Sequence, residues 1–147
     1  MITRRTFIRG TAAALVLGAF GRAAAQARPL VSVYKNAACG CCGEWVGHMR
    51  ASGFRVETHE IADVTPVRRR YGVPDELASC HTAVVGGYAI EGHVPASDVQ
   101  RLLRERPKVR GLAVPGMVPG SPGMDGPPRP YATLAFDDSG SRIFMRH

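Results

Sequence analysis

Short apolar runs alternate with amphipathic segments along the chain from residue 30 onward. Leu30–Tyr34 is an apolar run that predicts a buried strand, and Phe54–Ile61 is rich in β-forming residues and predicts a second strand. Between them, apolar side chains at helical spacing predict a helix over Gly43–Ser52. This part of the chain is therefore predicted to form a β-α-β unit.

The pattern continues to residue 106. Thr65 precedes a proline, which predicts the first turn of a second helix. Strands predicted over Thr82–Val85 and Tyr88–Val94 flank Gly86-Gly87, a strong hairpin signal. A third helix is predicted over Pro95–Arg106. The resulting order, β-α-β-α-β-β-α, predicts an α/β domain with a thioredoxin-like mixed sheet flanked by helices.

The composition changes over Gly111–Pro130, where 11 of 20 residues are glycine or proline. This segment is predicted to lack regular structure, yet it carries Met117 and Met124 rather than only polar linker residues. Strands predicted over Tyr131–Phe136 and Ser141–Phe144 would form a closing C-terminal hairpin.

The first 27 residues differ from the rest of the chain. Thr3–Ile8 contains a twin-arginine pattern, Thr11–Phe20 is apolar, and Ala23–Ala27 offers cleavage sites of the A-x-A type. The apolar run is shorter than the roughly 20 residues that span a bilayer. We therefore predict a signal peptide over residues 1–27 and one domain over residues 28–147, with an uncleaved membrane anchor as the alternative.

Twin-arginine signals direct bacterial export of proteins that are already folded, so the predicted location is the periplasm, with no membrane span after cleavage. Four arginines lie in the first 27 residues, and their removal lowers the net charge from +7 to +3. The Arg68–Arg70 run has no interleaved aromatic residues, which predicts a solvated helix face. A nucleic-acid partner is not supported.

Three of the four cysteines, Cys39, Cys41 and Cys42, lie within four positions. The pair Cys39 and Cys42 forms a C-x-x-C motif between a predicted strand and helix, the redox position of a thioredoxin-like fold. A helix N-terminus favours the thiolate, which is both a nucleophile and a metal ligand. Disulfide chemistry and metal binding therefore both remain open at this motif.

The other two cysteines, Cys41 and Cys80, favour metal binding over disulfide exchange. Cys41 adds a third thiol inside the motif, which invites scrambling in a disulfide catalyst but can bridge soft ions in a cluster. Cys80 stands just before the third predicted strand, where thioredoxin-like folds usually hold a cis-proline beside the C-x-x-C motif. A buried Cys80 beside a plain Cys39–Cys42 disulfide is the alternative.

Copper(I) is the metal favoured by these ligands. Structural zinc sites pair two separated knuckles, and iron–sulfur sites use wider spacing, neither of which this sequence shows. Met117 and Met124 add soft thioether sulfur, although gap-filling is the alternative for each. His81 adjoins Cys80 and is the histidine predicted to reach the site. The remaining histidines, His48, His59, His93 and His147, are predicted to be exposed or to pack ordinarily.

The motifs Cys39–Gly43, Cys80–Thr82, Gly111–Met117 and Gly120–Met124 together resemble the CopG-like family over about Leu30–Phe144. This is a periplasmic copper-resistance family long classed as a domain of unknown function, distinct from the plasmid repressor of the same name. The resemblance implies a thioredoxin-like domain that holds a copper–thiolate cluster. The ligands that it implies are Cys39, Cys41, Cys42 and Cys80, and Met117 and Met124 match its loop motif.

The leading hypothesis is a periplasmic protein that binds more than one copper(I) ion for copper resistance or homeostasis. Copper redox cycling and contact with other periplasmic copper-handling proteins are further expectations. The alternatives are a thiol–disulfide oxidoreductase of the cell envelope and a zinc-stabilised binding module. Catalytic residues stay unassigned, because no hydrolytic triad or phosphate-binding loop stands out.

Overall fold

A computed structural model describes residues 28–147, so the predicted signal peptide lies outside the described residues. These residues form an α/β domain with three α-helices and seven strands. The helices are α1 Gly40–Ala51, α2 Thr65–Arg70 and α3 Ala96–Glu105, and a single 3₁₀ turn spans Asp75–Leu77. The strands are β1 Leu30–Lys35, β2 Arg55–Glu60, β3 His81–Val85, β4 Tyr88–Glu91, β5 Gly111–Ala113, β6 Ala132–Asp137 and β7 Gly140–Arg146.

All seven strands belong to one mixed sheet with the order β2-β1-β3-β4-β5-β6-β7. The pairs β1–β2 and β4–β5 are parallel, and the other neighbours are antiparallel. The predicted element order up to α3, the hairpin at Gly86-Gly87 and the C-terminal hairpin are all present. The C-terminal hairpin extends the same sheet through β5 and does not form a separate layer.

Apolar clusters lie on both faces of the sheet, because successive residues of a strand point to opposite faces. On one face, Trp45 and Met49 of α1 and Val99 and Leu102 of α3 are fully buried in the larger cluster. The smaller cluster consists of Val73, Leu77, Ala89, Ala113 and Phe136. Packing on the larger cluster fixes α1, and therefore its first turn, relative to the central strands.

Two predicted boundaries were wrong. Helix α1 begins at Gly40 and not at Gly43, so the cysteine motif forms its first turn. The segment Gly111–Pro130 does contain a strand, β5, because Gly111 pairs with both Ala89 and Phe136. A Cβ atom at Gly111 would overlap the carbonyl oxygen of Ala89, so glycine permits this strand to approach its neighbour.

The prediction of a solvated Arg68–Arg70 face was wrong at Arg68. Its side chain is 9% exposed and donates from Nε to Oε1 of the fully buried Glu91 at 3.0 Å. Glu91 also accepts a hydrogen bond from the Ser79 backbone N–H at 2.7 Å and one from the Thr82 hydroxyl at 2.6 Å. Burial raises the pKa of Glu91, and these hydrogen bonds and the charge of Arg68 oppose that rise.

This buried network holds the segment that precedes Cys80. Arg68 donates a second hydrogen bond to the Ser79 carbonyl oxygen at 2.8 Å, so both polar groups of the Ser79 backbone are bound. A buried ion pair is costly to form but costlier to break on one side, because the remaining charge is left without a partner.

We expect Glu91→Gln to lower the free energy of unfolding by about 3 kcal/mol, because Arg68 would remain buried without a counter-charge. Urea denaturation measures this change. Glu105→Gln is the matched control, since it breaks the half-exposed Arg101–Glu105 pair and should cost less than about 1 kcal/mol. Equal losses in the two variants would contradict a structural role for the buried pair.

Candidate metal centre

Strand pairing brings the two cysteine segments together. Cys39 immediately precedes α1, and Cys41 and Cys42 lie in its first turn. In the antiparallel β1–β3 pair, Lys35 at the end of β1 lies opposite His81 at the start of β3. The chain entering β3 at Cys80 therefore lies beside the chain leaving β1 toward α1.

The four cysteine sulfur atoms lie within 4.8 Å of one another. Cys41 Sγ is 3.6 Å from Cys39 Sγ and 4.0 Å from Cys80 Sγ. Cys42 is fully buried, and its Sγ lies 3.7 Å from the carbonyl oxygen of Cys80. A group of this size and composition can hold soft metal ions.

Cys39 and Cys42 are joined by a disulfide, and Cys41 and Cys80 are free thiols. The sequence leaves disulfide chemistry open at this motif, and the structure shows this pair in its oxidised form. Its Cα atoms are 5.4 Å apart, within the usual range for a disulfide. The all-sulfur group can offer four thiolates only when this bond is reduced.

The surroundings keep the Cys80 thiol and the His81 imidazole neutral. Burial and the neighbouring Cys41 raise the pKa of the Cys80 thiol to about 12, and a hydrogen bond with Ser79 opposes the rise. Burial, with a smaller effect of His93, lowers the pKa of His81 to about 3. The Cys80 thiol and the His81 imidazole are therefore uncharged near neutral pH, and a bound cation would stabilise the Cys80 thiolate.

His93 lies at the site, contrary to the prediction of ordinary packing or exposure. Its ring is fully buried, and its Nε2 is 3.0 Å from Cys80 Sγ. The β3–β4 hairpin explains this position: Thr82 pairs with Glu91, and two further steps outward from the turn place Cys80 level with His93. His93 follows the Gly86-Gly87 turn by as many residues as Cys80 precedes it, and this equal spacing is the sequence signal that could have placed His93 at the site.

His81 and Trp45 form the inner wall of the site. His81 is fully buried, its Nδ1 is 3.4 Å from Cys80 Sγ, and its Nε2 has no hydrogen-bond partner among the described residues. The ring centres of Trp45 and His81 are 4.5 Å apart, and Trp45 Nε1 donates to the Val94 carbonyl oxygen at 2.9 Å. These two buried rings therefore border the cysteine group on the side of the core.

The other histidines lie elsewhere. His48 Nε2 accepts a hydrogen bond from the backbone N–H of Ala96 at 3.0 Å, and His59 is exposed and stacks on Tyr34. His147 Nε2 is 2.9 Å from a carboxylate oxygen of Asp98. Their surroundings are the ordinary packing or exposure that the sequence predicts for them.

The two loop methionines differ in exposure. Met117 is 59% exposed. Met124 is half-buried and lines a small cleft beside the metal centre, together with Gly40, Cys41, Glu44, Gly123 and Asp125. Met124 is thus the better placed of the two to approach a metal ion held by Cys41.

The loop that carries these methionines is attached on both sides of the site. The Ser79 hydroxyl donates to the carbonyl oxygen of Gly116, and the Gly116 N–H donates to the Ala78 carbonyl oxygen at 3.2 Å. Gly123 has a φ of +83°, and a Cβ atom there would lie 2.7 Å from the Trp45 backbone nitrogen and 3.0 Å from the Cys41 carbonyl oxygen. The loop therefore packs directly on the backbone of α1.

Comparison with known proteins identifies the family. A family model described as "Protein of unknown function, DUF411" matches residues 77–124. Two solved structures of the copper resistance protein CopG, form 2 and form 1, are 41% and 43% identical to this chain. The alignments cover 82% and 80% of this chain and 98% and 96% of theirs, with TM-scores of 0.77 and 0.75. The chain belongs to the CopG-like copper-resistance family.

The segment that matches the family model includes Cys80, His93 and both loop methionines, but not the C-x-x-C motif. The likeness to the CopG structures extends over most of the described domain and so complements this shorter match. No curated protein sequence matches the chain. Within residues 28–147, no helix combines the length and apolar character needed to cross a membrane.

We expect Gly123→Ala to destabilise the domain by about 3 kcal/mol, because alanine is strained at positive φ and its Cβ would clash with the α1 backbone. Gly116→Ala is the matched control, since its φ is also positive, at +71°, but its Cβ would meet nothing within 4 Å. The control should lose about 1 kcal/mol. Chemical denaturation followed by Trp45 fluorescence measures both, and equal losses would contradict the packing of the loop on α1.

Proposed function

We propose that this protein binds copper(I) through Cys39, Cys41, Cys42 and Cys80 and serves copper resistance or homeostasis. The observation that carries the proposal is the convergence of four sulfur atoms within 4.8 Å. Thiolate is a soft ligand that selects copper(I), and this sulfur group contains no carboxylate oxygen that would suit harder cations. The two CopG structures give independent support, because they are copper resistance proteins at 41% and 43% identity.

The sulfur arrangement also supports more than one copper ion. Cys41 Sγ lies 3.6 Å from Cys39 Sγ and 4.0 Å from Cys80 Sγ, so its thiolate can bridge ions that these two cysteines bind. Met124 borders the cleft beside Cys41 and can add a thioether ligand. Met117 is exposed, and a role for it as a ligand would require the loop to close further over the site.

The Cys39–Cys42 disulfide supports copper redox cycling as part of this proposal. Oxidation of two thiols to a disulfide releases two electrons and two protons. Two copper(II) ions would accept these electrons and become two copper(I) ions. Return to the thiol state needs a separate two-electron donor, such as a dithiol that is itself oxidised to a disulfide, and this step restores both thiols for binding.

A thiol–disulfide oxidoreductase is the second candidate, and the same disulfide favours it. A C-x-x-C disulfide at the start of a helix is typical of proteins that exchange disulfides with other proteins. Cys41 is a complication for this candidate, because a third thiol 3.6 Å from Cys39 Sγ can attack the disulfide internally. Copper binding uses that thiol, whereas disulfide exchange does not.

We further infer that the first four strands form a thioredoxin-like core. The strand order β2-β1-β3-β4, with β1 and β2 parallel and the cysteine pair at the start of α1, supports this description. The twin-arginine pattern supports export to the periplasm, where copper ions and other copper-handling proteins would be the partners.

We expect Cys41→Ser to lower the number of copper(I) ions bound per chain and to weaken their binding strongly, because the bridging thiolate is lost. Elemental analysis after anaerobic purification from copper-supplemented cells, with a free-thiol count, measures this. Ala38→Ser is the control, since it adds the same hydroxyl at an exposed neighbouring position and should leave copper content unchanged. Unchanged copper in Cys41→Ser, with insulin reduction that depends on Cys39 and Cys42, would favour the oxidoreductase instead.

For export, we expect replacement of both Arg4 and Arg5 by lysine to leave the uncleaved chain inside the cell, because twin-arginine export reads that pair. Replacement of Arg9 and Arg22 by lysine changes the same number of arginines outside the motif and should allow normal export. Cell fractionation with a size comparison on a gel measures both. Equal export of the two variants would contradict the twin-arginine route.

A further inference from the structure

A second set of metal-binding atoms adjoins the sulfur group. Cys80, His81 and His93 each offer one ligand atom, and these atoms also lie within 4.8 Å of one another. Cys80 is the one residue that belongs to both sets. The copper(I) site proposed above uses neither imidazole, so the two histidines need a separate explanation.

The hydrogen bonds of His93 leave one ring nitrogen free to bind a metal ion. Its Nδ1 lies 2.7 Å from the carbonyl oxygen of Pro122, which can only accept, so Nδ1 carries the proton and donates. Nε2 therefore holds the lone pair, and it lies 3.0 Å from Cys80 Sγ. Metal-ligating histidines typically show this arrangement, with one nitrogen orienting the ring through a backbone carbonyl and the other facing the metal.

His81 supplies the second observation. Its side chain is fully buried, yet its Nε2 has no hydrogen-bond partner among the described residues. No donor among the described residues binds Nε2, so Nε2 can carry the ring proton and leave the Nδ1 lone pair for a metal ion. The other nitrogen, Nδ1, is 3.4 Å from Cys80 Sγ, and the rings of His81 and His93 are 5.1 Å apart in an edge-to-face arrangement.

We propose that Cys80, His81 and His93 form a mixed sulfur–nitrogen subsite that binds copper(II) beside the all-sulfur group. One thiolate with two imidazoles is a ligand set that proteins use for copper, and imidazole nitrogen suits the divalent ion better than sulfur alone does. This inference rests on the proposed copper function and deepens it. It assigns each oxidation state its own ligands, with Cys80 common to both.

The test uses the Cys41→Ser variant with its Cys39–Cys42 disulfide intact, so that Cys80 is the only thiol. This protein receives one equivalent of copper(II) without oxygen and is frozen at once. We expect a thiolate-to-copper charge-transfer band in the visible spectrum. We also expect electron paramagnetic resonance splitting from two imidazole nitrogens.

In that background, His93→Ala should remove the coupling to one nitrogen and weaken copper(II) binding by at least about tenfold. His59→Ala removes an exposed histidine outside the site and should leave both the spectrum and the affinity unchanged. An unchanged spectrum in His93→Ala, or copper(II) bound without the charge-transfer band, would overturn the subsite. If His93→Ala fails to fold, ¹⁵N-histidine labelling of the parent variant decides, because the splitting must change when imidazole binds copper.

Copper(I) stoichiometry of the unmodified protein, measured in parallel, separates this inference from the proposed function. Normal copper(I) binding together with no sulfur–nitrogen copper(II) signal overturns the subsite alone. Loss of copper(I) binding together with a clear copper(II) signal overturns the all-sulfur site and leaves the subsite supported. Absence of both signals overturns both.

Discussion

The pairing of β3 with β1 on one side and β4 on the other is the constraint on which the candidate metal centre depends. The β1 partner fixes where α1 begins, and so where the cysteine motif lies. The β4 partner places His93 level with Cys80. The buried Glu91 then binds the Ser79 backbone and the Thr82 side chain on either side of the Cys80-His81 step. Backbone pairing and one buried ion pair thus position the candidate ligands.

The partial burial of Cys80 bears on which cations the proposed site would accept. A half-buried thiol that is neutral without metal would gain a full negative charge on binding one. That change is favourable only if the incoming ion forms strong bonds to sulfur, since hard cations keep their water more readily. The neutral imidazoles add donors without adding charge. The surroundings of the proposed ligands would therefore add to the selectivity that the sulfur atoms provide.

Local patterns predicted the order of elements up to α3, the Gly86-Gly87 hairpin and the approach of Cys80 to the cysteine motif. Three features escaped prediction, because each depends on a partner distant in sequence. Arg68 of α2 is buried against Glu91 of β4, and Gly111 of β5 fits between two strands where a Cβ atom would clash. His93 lies beside Cys80 because the pairing of β3 with β4 places the two residues level with each other. The redox state of Cys39 and Cys42 depends on the surroundings as well as on the sequence.

The contact of Gly123 with α1 has a consequence for how relatives of this chain can vary. Because the loop meets main-chain atoms of Trp45 and Cys41, substitution of helix side chains cannot relieve a clash at position 123. Evolution should therefore retain glycine there for steric reasons, whatever metal the protein handles. The exposed Met117 is under no such steric demand. Retention of methionine at position 117 across the family would point to selection on its sulfur atom, and free variation would point to a spacer.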